Sequence, residues 1–124
     1  MRYMLLIYDR EADWDGMTEP ERGQIFKEYM EFTEGIRKSG HYRAGDPLQP
    51  TSTATTVRVK GGKPLTTDGP FAETREQLGG YYIIEAKNLD EATGIAARIP
   101  SARLGSIEVR PIMEMTQAAE RAAS

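Results

Sequence analysis

The sequence predicts an α+β fold with the element order βαββαβ. Two dense apolar segments, "YMLLIY" (residues 3–8) and "GYYIIEA" (residues 80–86), read as central strands. Each is followed by a segment whose apolar residues recur at helical spacing behind a recognisable cap. Between the two halves lies "TSTATTVRV", rich in β-branched residues and followed by Gly61-Gly62, the mark of a hairpin.

The first strand, Tyr3 to Tyr8, is apolar on both faces, as a buried central strand must be. A polar turn, "DREADWDG", carries the single tryptophan, Trp14. Its acidic residues Asp9, Glu11, Asp13 and Asp15 alternate as in a calcium loop but lack that loop's spacing, its central Gly and its terminal Glu, which leaves a solvated loop. A helix then begins at Thr18, with Glu21 three residues on completing a capping box and Pro20 in the first turn, where a missing N–H costs nothing. Ile25, Tyr29, Phe32 and Ile36 form its apolar stripe, Phe26 and Met30 widen it, Lys38 suits the C-terminal dipole, and Gly40 ends it.

"HYRAGDPLQP" reads as a short extended segment broken by Gly45 and Pro47. In the hairpin, Thr55, Val57 and Val59 alternate with Thr56 and Arg58, and "PLTT" is the return strand. After "GYYIIEA", Asn88 or Asp90 caps a second helix whose face is Leu89, Ala92, Ile95, Ala96 and Ile99, with Pro100 as the stop. The last strand lies in "GSIEVRPIMEM", where Ile107, Val109 and Met113 alternate with Glu108 and Arg110. The tail "TQAAERAAS" is Ala-rich but short for a helix standing alone.

Without the hairpin this is the ferredoxin-like split pattern, one domain over residues 1–115 with a tail at 116–124. Two helices cover only one face of such a sheet, yet the central strands are apolar on both. A second copy packed sheet to sheet would cover the other face and make a homodimeric, two-fold α+β barrel. The alternative is a monomer whose second face lies under the hairpin and the tail.

Composition narrows the function classes. Sixteen Lys and Arg are scattered among nineteen Asp and Glu, for a net charge of −3, which argues against nucleic-acid binding. No apolar run reaches the roughly 20 residues a membrane-spanning helix needs, so no membrane partner is expected. The start, with one positive charge and a short apolar run, reads as a mature strand of a cytoplasmic protein. With no Cys, disulfides and thiol chemistry are excluded, and a single His leaves no basis for a transition-metal site; no cofactor is expected. Gly61-Gly62-Lys63 and Leu78-Gly79-Gly80 make poor phosphate cradles, since neither opens a helix.

The stretch "TTDGPFAETREQLGGYYIIEA" (residues 66–86) concentrates the candidate chemistry. Asp68 has two readings: a carboxylate accepting backbone N–H bonds to pin the turn, or an acid–base group at the mouth of a cleft. Gly69 supplies a permissive backbone, Pro70 fixes φ, and Phe71 is expected to plug the core. Glu73, Arg75 and Glu76 form either a surface ion-pair cluster or the polar wall of a cleft. Tyr29, Tyr81 and Tyr82 either fill core or present hydroxyls to a pocket. Arg110 either holds an anionic ligand or pairs with Glu108 or with a carboxylate across the dimer. His41, the only histidine, lies at a helix end, where it either compensates the dipole or titrates in a site.

"TDGPFAETREQLGGYYIIEA" resembles the signature of the DGPF group of YCII-related proteins. "RYMLLIY", "STATTVRVKGGK", "NLDEA" and "SIEVRPIMEM" extend that resemblance in order along the chain. Asp68, Gly69, Pro70, Phe71, Glu73 and Glu76 match the signature, and Arg75 keeps the charge of its more usual Lys. The resemblance implies a dimeric α+β barrel. In the wider group it implies a catalytic His–Asp pair, with one branch linked to dehydrochlorination of a chlorinated hydroxyquinol. At the helix position where relatives often carry His, this chain has Tyr29. The candidates for proton exchange are therefore Tyr29 or His41, with Asp68 as orienting group. Gly69, Pro70, Phe71, Glu73, Arg75, Tyr81 and Arg110 are the candidates for contact with a small organic ligand. The DGPF resemblance also implies a second possibility, a non-catalytic accessory role around extracytoplasmic-function sigma factors.

Overall fold

The computed structural model describes residues 1–123, and of residues 117–119 the backbone alone. Strand β1 (Arg2–Asp9) leads through the short helix α1 (Glu11–Asp15) into the long helix α2 (Glu19–Lys38) and strand β2 (Tyr42–Pro47). The hairpin β3 (Thr55–Lys60) and β4 (Lys63–Asp68) follows, then β5 (Gln77–Glu85), α3 (Leu89–Ala97), β6 (Ser106–Pro111) and α4 (Met115–Ala123). The main sheet runs β2-β5-β1-β6, and every neighbouring pair is antiparallel. That is the strand order of the split βαββαβ pattern with the hairpin set aside as a separate two-stranded sheet.

Local chemistry sets the helix ends. The Thr18 hydroxyl oxygen accepts from Glu21 N–H at 3.3 Å and donates to the Glu21 carboxylate at 3.0 Å, so cap and third residue lock together. At the far end Gly40 takes a φ of +81°, and the His41 N–H returns to the Ile36 carbonyl at 2.9 Å, the 6→1 closure that favours glycine at this position. Asn88 caps α3 by accepting from Glu91 N–H at 2.9 Å.

One face of the sheet carries the core. In β1, Tyr3, Leu5 and Ile7 are buried and pair across the sheet with Ile84, Tyr82 and Gly80 of β5. Ile36 of α2 and Ala92, Ile95 and Ala96 of α3 close over them. The intervening residues Met4, Leu6 and Ile83 turn to the opposite face and are only half-buried. No helix of the described residues is long and apolar enough to cross a membrane.

Two expectations change. Phe71 does not plug the core; it is 78 % exposed, because the turn it follows stands clear of the main sheet. Every residue of β4 and all of β3 except Thr56 is likewise exposed. The tail, expected to be weak as a helix by itself, forms α4. It starts beside the chain's beginning, where Arg2 grips Glu114 through Nε at 2.7 Å and Nη2 at 3.0 Å and the Ile112 N–H reaches the Arg2 carbonyl at 3.0 Å.

Candidate functional site

A cavity of about 880 Å³ opens between α2 and the helix-covered face of the sheet, walled by α2, the ends of β1 and β5, and β2 with the loop beyond it. It lies on the helix side, not on the bare apolar face.

Its floor is Asp9, the last residue of β1, only 7 % exposed. The Trp14 indole N–H donates to the Asp9 carboxylate at 3.0 Å, so the short helix α1 folds back over the strand that precedes it. The Glu11 carboxylate accepts from the Thr51 N–H at 2.8 Å and from its hydroxyl at 2.9 Å, tying α1 to the loop on the opposite rim. Of the four acidic residues expected to be a solvated loop, Asp13 and Asp15 are exposed, while the other two are engaged. Asp9 is buried, and Glu11 is a clamp.

Glycines allow the approach. The register slips between Ile7 and Tyr8, leaving Gly79 of β5 as the extra residue of a bulge. A Cβ on Gly79 would sit 3.4 Å from the Asp9 carboxylate, and one on Gly80 would meet the Asp46 carbonyl at 3.0 Å. The Gly pair therefore serves close packing of strand against strand at the cavity wall rather than phosphate binding.

From α2 comes Tyr29, whose hydroxyl donates to the buried Ser101 Oγ at 2.6 Å. Burial pushes the Tyr29 phenol up to about 12; the nearby Asp9 carboxylate pushes the same way, and the Ser101 hydrogen bond opposes it. The phenol stays protonated at neutral pH. One turn on, the Thr33 hydroxyl donates to the Tyr29 carbonyl at 2.8 Å, which leaves its oxygen to accept from the Tyr82 hydroxyl at 2.7 Å. Tyr82 is held edge-on by Phe32, with ring centroids 5.3 Å apart, and burial raises its phenol as well. At the outer edge the Tyr81 hydroxyl donates to Asp46 at 2.8 Å, and both residues line the cavity.

Tyr29, Tyr81 and Tyr82 are therefore the sequence-predicted residues that reach this cavity. His41 does not line it: its Nδ1 meets Ser39 Oγ at 2.7 Å and its Nε2 meets Glu91 at 3.2 Å, stitching the end of α2 to the start of α3. The Glu91 carboxyl is held below its ordinary value first by the Lys87 N–H and then by His41. Asp68 ends β4 in the separate hairpin, and among the described residues its carboxylate accepts no hydrogen bond. The turn is held instead by the Gly69 N–H on the Ala54 carbonyl at 2.7 Å and the Thr56 hydroxyl on the Gly69 carbonyl at 2.8 Å. Gly69 adopts a φ of +96°, which explains glycine at that position. Tyr29, His41 and Asp68 do not converge.

Pro70, Phe71, Glu73 and Arg75 are exposed and stand outside the cavity, and among the described residues no ion pair joins Glu73, Arg75 and Glu76. Glu76 instead accepts from the Ser106 hydroxyl at 2.9 Å. Arg110 faces Glu108 at 3.9 Å on the bare side of the sheet. Sequence reasoning missed Asp9, Ser101 and Arg22, another lining residue. An acid at the end of an apolar strand was their one usable signal.

Comparison with known proteins places these features in context. The YCII-related domain model matches residues 1–116. An uncharacterized protein of Rhizobium meliloti (strain 1021) is 34 % identical over 114 residues, covering 90 % of this chain and 92 % of that protein. Among solved structures, the 5-chloro-2-hydroxyhydroquinone dehydrochlorinase of Burkholderia phenoliruptrix AC1100, in complex with 2,5-dihydroxybenzoquinone, superposes with a TM-score of 0.53 over 94 % of this chain and 98 % of that one, at 15 % identity. At that identity the likeness is one of fold.

Proposed function

We propose, from the premise that this chain belongs to the YCII-related family, that its helix-side cavity binds a small organic molecule and exchanges a proton with it. The observation that carries this reading is Asp9: a buried carboxylate, fixed by the Trp14 indole, on the floor of a cavity of about 880 Å³. A carboxylate engaged by one indole N–H retains acceptor capacity for a ligand hydroxyl. Asp9 is then the proton acceptor. Tyr29, kept protonated by its burial, gives its one hydrogen to Ser101 and so offers the ligand hydroxyl its oxygen as an orienting acceptor. The aromatic walls favour a flat ring, as does the 2,5-dihydroxybenzoquinone complex of the structural relative.

Assembly completes the reading. Met4, Leu6 and Ile83 make an apolar patch on the face opposite the helices, and a second copy packed there would give the dimeric barrel. A separate observation favours the accessory role: Val57, Val59, Leu65 and Phe71 are exposed on or beside the free hairpin, a surface suited to protein contact.

The test is titration calorimetry with 2,5-dihydroxybenzoquinone, the compound held by the structural relative. Binding to the wild type that weakens about tenfold or more in Asp9→Asn and persists in Asp68→Asn is expected, the loss of a charged hydrogen-bond acceptor being worth that much. Loss in Asp68→Asn with retention in Asp9→Asn would move the site to the hairpin and overturn the reading.

A further inference from the structure

Arg22, like Arg43, gives Nη1 to two backbone carbonyls, whereas other arginines pair with carboxylates. Arg2 pairs with Glu114, Arg103 with Glu28 and Arg110 with Glu108. Arg22, half-buried in the cavity wall, spends both hydrogens of Nη1 on backbone carbonyls, those of Trp14 at 3.1 Å and of Met17. Among the described residues no carboxylate pairs with it. The Nε–Nη2 edge remains, a planar two-donor fork held in place by the carbonyls behind it. Arg37, the other arginine of the cavity wall, lies over the Tyr42 ring at 4.6 Å.

The same face of α2 carries apolar surface towards the cavity. Phe26 and Met30, one and two turns on from Arg22, line it while remaining 67 % and 60 % exposed. From Arg22 to Tyr29 the helix advances about 10 Å, at the α-helical rise. That is the reach of one benzene ring with a polar group at each end. Of the cavity's carboxylates, Asp9, Glu11 and Asp46 are already engaged by Trp14, Thr51 and Tyr81 respectively. Asp15 and Glu34 stand exposed at the rim, a setting that disfavours a doubly charged phosphate.

We infer that the cavity's ligand class is hydroxylated aromatic acids, bound as monoanions, with the carboxylate on the free edge of Arg22, the ring over Phe26 and Met30, and the hydroxyl directed to Asp9 and Tyr29. This rests on the reading of the cavity as a ligand site and adds the charge and shape of its occupant. Arg22 is a specificity-determining residue in this scheme; it does not exchange the proton.

The test uses three compounds of one ring and different heads: para-hydroxybenzoate, para-hydroxybenzyl alcohol and para-hydroxybenzylamine, titrated by calorimetry into the wild type, Arg22→Gln and Arg37→Gln. The acid is expected to bind about tenfold to a hundredfold tighter than the alcohol or the amine, the range of a charge-assisted pair. Arg22→Gln removes that preference, while Arg37→Gln keeps it. Equal binding of the alcohol, or tighter binding of the amine, overturns the ligand class and leaves the cavity as a ligand site. A preference that survives in Arg22→Gln and is lost in Arg37→Gln overturns the assignment to Arg22. Should none of the three bind while 2,5-dihydroxybenzoquinone does, this inference fails alone; should none of the four bind, the proposed function falls with it.

Discussion

The sheet under the helices and the free hairpin are built on opposite terms. In β1 and β5 alternate side chains are buried, and Leu5 and Ile84 are wholly enclosed. In β3 and β4 almost every side chain meets water, and only cross-strand pairing and the Gly61-Gly62 turn, with φ of +58° and +76°, hold the strands in register. The most conspicuous sequence motif, Asp68 to Phe71, sits at the end of the region without a core. The candidate chemistry sits in the region with one, where burial can alter a phenol and exclude water from a carboxylate. A compact motif and a buried site are different kinds of feature, and here they occupy different parts of the molecule.

Truncation is the severest way to probe that contrast. Leu5→Ala, at a position with no exposure, is expected to cost about 2–5 kcal/mol by chemical denaturation. Val57→Ala in the exposed hairpin should stay within about 0.5 kcal/mol. Comparable losses would mean that the hairpin is buried in solution and the contrast is false. Next in size is the bare face. Ile83→Lys should weaken self-association at least about tenfold in sedimentation equilibrium, as for a central interface residue. An unchanged monomeric protein on both sides of that comparison would remove the sheet-to-sheet dimer.

The smallest effect is on pH dependence. The Tyr29 phenol is raised from 10.0 to about 12 on folding, so the stability it represents is complete below 10.0 and lost as pH climbs towards about 12. Tyr29→Phe should flatten part of that alkaline decline, with Tyr82 and Tyr81, both also raised, contributing to the remainder. On the acid side, Glu28, Glu85, Glu91 and Glu114 are all held below 4.5 by hydrogen bonds to Arg103, the N-terminal amine, the Lys87 N–H and Arg2 respectively. Their contribution is present above 4.5 and fades as pH falls through the lowered values. All four are half-buried at the surface rather than enclosed, so the acid limb should be shallow and weakened by salt. Thermal melts across pH, repeated on Tyr29→Phe, check both limbs; an unaltered alkaline limb would show that Tyr29 is less enclosed than its contacts indicate.

Legibility in the sequence followed the range of the interaction. Thr18 with Glu21, Asn88 with Glu91, Gly40 and the Gly61-Gly62 turn act over a few residues, and each could be read in place. Tyr29 was legible as a member of an apolar helical stripe, though its partner Ser101 lies 72 residues away and carries no local signal. Asp9 looked like the first acid of a solvated turn. Only the fold-back of α1, which brings the Trp14 indole onto it, makes it a buried group. Phe71 was misjudged for the converse reason: an aromatic after Gly-Pro is core material only if a core lies within reach.

What the residues themselves determined was the identity and order of the strands and helices, because periodicity, caps and turn glycines are properties of neighbours in the chain. Which face of α2 would look into a cavity, that Arg22 would be left with an open edge, and that the DGPF turn would stand in solvent were decided only when distant strands paired. Antiparallel register across β1, β5 and β2 brings residues together from both ends of the chain, and the free energy of that meeting lies in burial and electrostatics that no short stretch of sequence contains.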